Sequence, residues 1–166
     1  MNSNSKPLDL KLIEYLKGTV NPFTTYTNLA KIWNERKERA ISSIERYNND
    51  ETTGKIYLIQ LDNNTIGITG YYLINSNDDY AGLRWHGIVL EFQNKGYSHK
   101  ALNLLIENIK CDKTITARFI QELLPYDKLE TLSYFEKMGF INTDKEPKFY
   151  EEMPDIKCYK LVKSLY

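Results

Sequence analysis

Residues 55–61 alternate, with Ile56, Leu58 and Gln60 on one face and Tyr57, Ile59 and Leu61 on the other, a spacing that predicts a half-buried strand. Asp62-Asn63-Asn64 is turn chemistry, and residues 65–74 are rich in β-branched and aromatic side chains, so the two runs read as an antiparallel hairpin. After a polar turn at 75–79, residues 83–90 form the next expected strand. Before the hairpin, Leu29, Ile32, Trp33, Arg36, Ala40, Ile41 and Ile44 recur at three and four residues. That period predicts one long amphipathic helix after the Asn21-Pro22 turn, ending near Tyr47 where Asn48, Asn49 and Asp50 stop it. The segment 8–16 fits two periods: Leu8, Leu12, Ile13 and Leu16 have helical spacing, while Leu10 and Leu12 suit a short edge strand.

Further along, Ala101, Leu102, Leu105, Ile106 and Ile109 make the apolar face of a helix over 98–109. Residues 114–123 read as a strand ended by Pro125, 128–138 as a helix closed by Gly139 in a left-handed C-cap, and 155–165 as a last strand. The order of helix, hairpin, strand, helix, strand, helix, strand, without repeats or a low-complexity linker, predicts a mixed α/β (α+β) domain.

Length and charge narrow this picture. A chain of 166 residues, 42% hydrophobic, builds one sizeable core, so a single domain over 1–166 is expected. Lys plus Arg and Asp plus Glu both number 22, which leaves no global field for a phosphate backbone and argues against a nucleic-acid partner. Cys111 and Cys158 make neither a disulfide framework nor a zinc site, and they read as small hydrophobes in a reducing compartment. Residues 1–7 are polar and lack the apolar run of a signal peptide, and no stretch has the length of a membrane span. A soluble, cytoplasmic protein without a membrane partner or a metal is the expectation.

The candidate chemistry lies where the strand over 83–90 meets the helix over 98–109, through Glu91, Phe92, Gln93, Asn94, Lys95, Gly96, Tyr97, Ser98, His99 and Lys100. Backbone N–H groups at a helix start have no intrahelical acceptor and sit at the positive end of the helix dipole, so an anion is their natural ligand. Gly96 lets the backbone approach such a ligand without a Cβ, and Ser98 can cap the helix. A capped strand-to-helix turn without a ligand is the plainer reading of the same residues.

Gln93-Asn94-Lys95-Gly96-Tyr97-Ser98 resembles the acetyl-CoA signature of the GNAT N-acetyltransferases: Arg or Gln, two residues, Gly, any residue, then Gly or Ala. Ile88 and Leu90 precede it on the strand, and Ala101-Leu102 follow where the family has an apolar pair; Ser98 departs from the pattern in the last small position. Residues 131–140, ending Tyr134-Phe135-Glu136-Lys137-Met138-Gly139-Phe140, are similar to the family's other helix, whose ending is an aromatic pair, Glu, Lys, an apolar residue, Gly, Phe. The two motifs stand in the family's order and cover about the C-terminal half of the chain.

The resemblance implies the GNAT fold, with a mostly antiparallel central sheet flanked by helices and a splayed fourth and fifth strand, and acetyl-CoA as co-substrate. It places the pantetheine arm on the backbone of Ile88, Val89 and Leu90, and the pyrophosphate on the amides of Gln93, Asn94, Lys95, Gly96, Tyr97 and Ser98. The implied reaction is direct attack of a neutral amine on the thioester, its carbonyl polarised by the N–H of Val89 or Leu90. His86 and Glu122 are the candidate bases, and Glu91 is set aside as a turn residue. Phe135 stands where many members have a tyrosine acid, and Tyr134 beside it points about 100° away on a helix, so the acid is left between Tyr134 and water. Lys128 occupies a position that is often Asn.

Trp33, Tyr71, Tyr72 and Trp85 read as core, with lining of an amine pocket as the alternative, and Asp78-Asp79 reads as a solvated turn. A small-molecule amine or a peptide amine is the implied acceptor, and a homodimer is compatible with the family. A silent acyl-CoA-binding module for sensing or assembly is the second reading, and an unrelated α/β domain the third.

Overall fold

The edge-strand period governs the first segment: β1 (Leu10–Glu14) pairs antiparallel with β2 (Lys55–Leu61), Leu12 opposite Ile59. β2 has the predicted bounds, and it turns through Asp62, which takes φ +53°, into β3 (Asn64–Leu73). The helix that the sequence predicts as one piece over 29–47 is broken. α1 (Pro22–Thr25), capped by the Asn21 side chain on the Phe23 N–H, and α2 (Thr27–Lys31) precede a 3₁₀ turn in which Asn34 has φ +42°. α3 (Lys37–Asn48) then buries Ala40, Ile44 and Tyr47, one stripe of its face. The three- and four-residue period runs on across the break because both pieces pack on one core, while Asn34, tolerant of left-handed backbone, changes the chain's direction.

A computed structural model describes residues 8–74 and 77–166, which leaves residues 1–7 and two positions of the polar 75–79 turn outside the description. The chain divides into two compact units. The first takes the chain up to Gly70 together with Arg84–Ile109, and the second takes Tyr71–Leu83 and Lys110–Tyr166. The architecture is mixed α/β, with helices flanking a mostly antiparallel sheet.

In the first unit, β2 and β3 are neighbours and β3 pairs antiparallel with β5 (Gly87–Ile88), Gly67 opposite Ile88. The strands press together at Gly67, where a Cβ would stand 2.4 Å from the Gly87 carbonyl oxygen. α4 (Tyr97–Cys111) buries Ala101, Leu102, Leu105, Ile106 and Ile109, the predicted face, and each large apolar side chain there contributes roughly 1.5–3 kcal/mol. Leu29, Ile44, Ile56, Ile59, Ile66 and Ile68 complete this core.

In the second unit, the end of β3 pairs antiparallel with β4 (Tyr80–Leu83), β4 pairs parallel with β6 (Phe119–Pro125), and β6 pairs antiparallel with β9 (Met153–Ser164). Two short strands missed by the sequence reading, β7 (Ile141–Asn142) and β8 (Lys148–Tyr150), also pair with β9. The strand expected over 114–123 starts at Phe119 instead. Asp112 draws the chain into a turn through Thr114, and Asp79 then holds Arg118: its carbonyl accepts from the Arg118 and Phe119 N–H groups, and its carboxylate makes a two-point pair with the guanidinium at 3.0 and 3.1 Å. Asp79 is thus solvated, as its turn position suggests, and ion-paired as well, and Arg118 holds its carboxyl below the usual range by hydrogen bond.

The helix expected over 128–138 is also two pieces, a 3₁₀ segment over 126–131 kinked at Lys128 and α5 (Leu132–Lys137). Its end follows prediction. Gly139 has φ +86° and donates to the Glu136 carbonyl, while Phe140 donates to the Phe135 carbonyl, the two bonds of a Schellman cap. Cys158 is buried as expected, whereas Cys111 is exposed at the end of α4.

Candidate cofactor-binding turn

The strand expected over 83–90 is interrupted between β4 and β5. Trp85 sits in left-handed backbone at φ +45°, an unusual position for a bulky side chain, and its ring is wedged edge-on against Trp33 at 5.3 Å. Trp33 in turn meets Phe23 at 5.3 Å, so these two tryptophans lie in the aromatic packing of the first unit. Tyr71 is buried, and the Tyr72 ring lies over Gly82.

The break at Trp85 directs His86 inward. Its Nδ1 lies 2.9 Å from the Thr69 hydroxyl of β3, and its Nε2 lies 2.9 Å from the Ser98 hydroxyl on the first turn of α4. Burial pushes the imidazole pKa down to about 4, with a hydrogen bond to the Ser98 backbone working the other way, so the ring is neutral at pH 7. Ser98 is therefore the second residue of α4 and a partner of His86, not the helix cap that its sequence position suggests. Thr69 was missed by sequence reasoning. The signal for it was a lone hydroxyl within Ile66-Gly67-Ile68-Thr69-Gly70, a run buried throughout, where a polar group needs a partner.

After β5 the Val89 N–H donates to the Ile66 carbonyl at 2.8 Å, which commits it to the sheet. Antiparallel pairing alternates, so Ile88 turns its N–H and C=O to the opposite edge from Val89. The Ile88 carbonyl accepts from the Gln93 side-chain amide at 2.8 Å. Leu90 opens a 3₁₀ turn and is 78% exposed. Of the three residues expected to meet pantetheine, Val89 commits its N–H to the sheet, whereas Ile88 directs its N–H outward.

The turn itself runs from Gln93 to Ser98. Asn94 takes φ +59° and Gly96 φ +79°, and no heavy atom lies within 4 Å of the place a Gly96 Cβ would occupy. The Lys100 N–H reaches back to the Gly96 carbonyl at 3.2 Å. Among the described residues, no hydrogen bond is donated by the backbone N–H groups of Asn94, Lys95, Gly96 or Tyr97. These amides, on exposed residues 94–96 and at Tyr97 where a helix of 15 residues starts, are the kind of donor set that suits a pyrophosphate. Lys95 folds back, its ammonium on the Glu91 carbonyl at 2.8 Å and over the Phe92 ring. The Phe92 and Tyr97 rings meet at 6.4 Å across the turn.

Glu122 and Tyr134 belong to the second unit. Glu122 is a partly buried residue of β6 opposite Leu161, and Tyr134 lies on α5 with its ring edge-on to Phe135 at 5.1 Å. Phe135 is buried and meets Phe140 at 5.3 Å, the apolar contact that accompanies a Schellman cap. Among the described residues, no helix is long and apolar enough to cross a membrane, and no cluster of His, Cys, Asp or Glu could hold a metal ion.

No protein-family model matches the chain, and its sequence matches no curated protein. In structure it is similar to a GNAT family acetyltransferase from Elizabethkingia anophelis solved with acetyl-CoA bound: 18% identity, TM-score 0.61, 93% of this chain and 97% of that one covered. It is also similar to the spermidine N-acetyltransferase of Vibrio cholerae solved with CoA and spermine, at 15% identity and TM-score 0.66, covering 94% and 95%. A GNAT family protein from Desulfovibrio desulfuricans gives TM-score 0.68 at 8% identity, over 95% of this chain and all of that one. Low identity over nearly full length makes this a likeness of fold, and the fold of this chain is that of the GNAT acetyltransferases.

Proposed function

We propose that the chain is an acetyl-CoA-dependent N-acetyltransferase, a single GNAT-like domain over 1–166 that acts on the primary amine of a small molecule. The observation that carries the reading is the turn at Gln93–Ser98, with Gly96 in left-handed backbone, open space before it and outward amides at the start of α4. The fold and the order of the two sequence motifs support the same reading. Acetyl-CoA, when bound, supplies the acetyl group as a thioester, the bond that the amine breaks as the new amide forms.

In this reading, the amides of residues 94–97 hold the pyrophosphate, and the outward Ile88 N–H polarises the thioester carbonyl. The amine must shed a proton. His86 has both ring nitrogens within hydrogen-bond distance of hydroxyls, so we assign the base to Glu122. Tyr134 is assigned to return a proton to the leaving thiolate.

A small amine is favoured over a peptide because one enzyme among the similar structures, in several crystal structures, is the spermidine N-acetyltransferase of Vibrio cholerae. One of those is dodecameric, which supports self-association of this chain, a homodimer being the simplest form. Buried Phe135 favours a second reading, a silent acyl-CoA-binding module.

Two measurements test these readings. Acetyl-CoA at concentrations far above a typical dissociation constant must raise the melting temperature, and its failure to do so removes the cofactor assignment. Free CoA released with one member of a panel of polyamines, amino sugars and amino acids identifies an enzyme, while binding without release across the panel identifies the silent module.

A further inference from the structure

We infer that His86 is a positioning residue that braces the phosphate turn, by tying Ser98 on the first turn of α4 to Thr69 on β3. The inference rests on the cofactor reading above and goes beyond it, because it gives the histidine a role other than taking the amine's proton. Three observations carry it.

The first is reach. A single imidazole spans the two hydroxyls, with Thr69 Oγ1 at 2.9 Å from Nδ1 and Ser98 Oγ at 2.9 Å from Nε2. A neutral ring donates through one nitrogen and accepts through the other, and a hydroxyl can do either, so both contacts are satisfied in either tautomer. The second is the chemistry of the ends. Thr69 is fully buried in the sheet, a fixed anchor, whereas Ser98 follows closely on Gly96, an exposed residue with no heavy atom within 4 Å of its Cβ position. The third is backbone strain. Trp85 takes left-handed backbone one residue before the histidine, a conformation that a bulky side chain keeps only when its surroundings hold it in place. The brace and the Trp33 contact are the surroundings that hold it.

The sequence departure at Ser98 acquires a reason. The GNAT pattern has Gly or Ala there, and neither offers a hydroxyl; here the serine oxygen is the end of a bridge whose other members are His86 and Thr69.

The test compares His86→Leu and Ser98→Ala with the unaltered chain by two readouts. Without ligand, hydrogen exchange at the Lys100 amide, which closes on the Gly96 carbonyl, is expected to quicken at least about tenfold in both variants. With acetyl-CoA, both variants are expected to bind at least about tenfold more weakly by calorimetry, with kcat recovering at saturating acetyl-CoA. Combining the two substitutions adds little to either alone, since they cut the same bridge. His86→Gln, which keeps a donor and an acceptor, recovers part of the loss. Unchanged exchange and affinity in Ser98→Ala overturn the inference, as does a His86→Leu chain that binds acetyl-CoA normally and loses kcat alone, which marks a base. If the unaltered chain binds no acetyl-CoA, the cofactor reading fails by itself, and the exchange rates still decide whether the brace exists.

Discussion

The side-chain amide of Gln93 closes on the carbonyl oxygen of Ile88 at 2.8 Å, so the residue that opens the phosphate turn also caps the strand that leads into it. The outward carbonyl of β5 is satisfied from within the chain, and the outward N–H of the same residue is the one proposed to meet acetyl-CoA. Gln93→Glu puts a carboxylate against that carbonyl and beside the phosphates. It is expected to lower acetyl-CoA affinity at least about tenfold, and Gln93→Arg, which keeps a donor, is expected to retain most of it, as titration calorimetry would show.

Gly96→Trp tests the turn from the other side. The position is open, so the variant is expected to fold at a cost of roughly 1–2 kcal/mol for a left-handed L residue. The indole then stands where the pyrophosphate is assigned, and acetyl-CoA should no longer raise the melting temperature. A normal thermal shift in a folded Gly96→Trp chain would remove the turn from the cofactor site.

The neutral histidine carries a pH signature. Its pKa is about 4 in the folded chain and near the ordinary 6.5 when unfolded, so between these values the unfolded state binds more protons and stability rises with pH. Urea midpoints are expected to fall as pH drops from about 6.5 to 4, with a ceiling of about 3 kcal/mol by linkage. His86→Leu should flatten that window. Asp79 and Asp144, whose carboxyls are held below their usual range, act at lower pH, where protonation removes their stabilisation.

Tyr134→Phe separates enzyme from silent module. If the hydroxyl protonates the leaving thiolate, kcat falls by about 10² or more with acetyl-CoA affinity unchanged. An unchanged kcat sends the proton to water, and a chain inactive before the substitution supports the module.

The regular elements that bury one clean stripe were legible in the sequence. β2, the face of α4 and the Schellman cap at Gly139 all lie where periodicity and cap chemistry put them. The breaks were not legible, because a period continues across a change of direction when both pieces face one core. Asn34 splits the long helix and Trp85 splits the long strand, and left-handed backbone at a tryptophan leaves no mark in composition. The turn itself was legible through the spacing of Gln93, Gly96 and Ser98, and the phosphate it is proposed to hold rests on the resemblance. The turn's support was not legible, since Thr69 lies 17 residues before His86 and only the folded β3–β5 pair brings them together.

The strand break at Trp85 also determines what the chain emits as light. Its two tryptophans, Trp33 and Trp85, are in contact with each other, and the second is the residue before His86. Tryptophan emission from this molecule, excited at the red edge where tyrosine does not absorb, is therefore not an average over the fold. It comes from one place beside the brace, and a change in its colour or intensity on adding a ligand reads out that joint without any label.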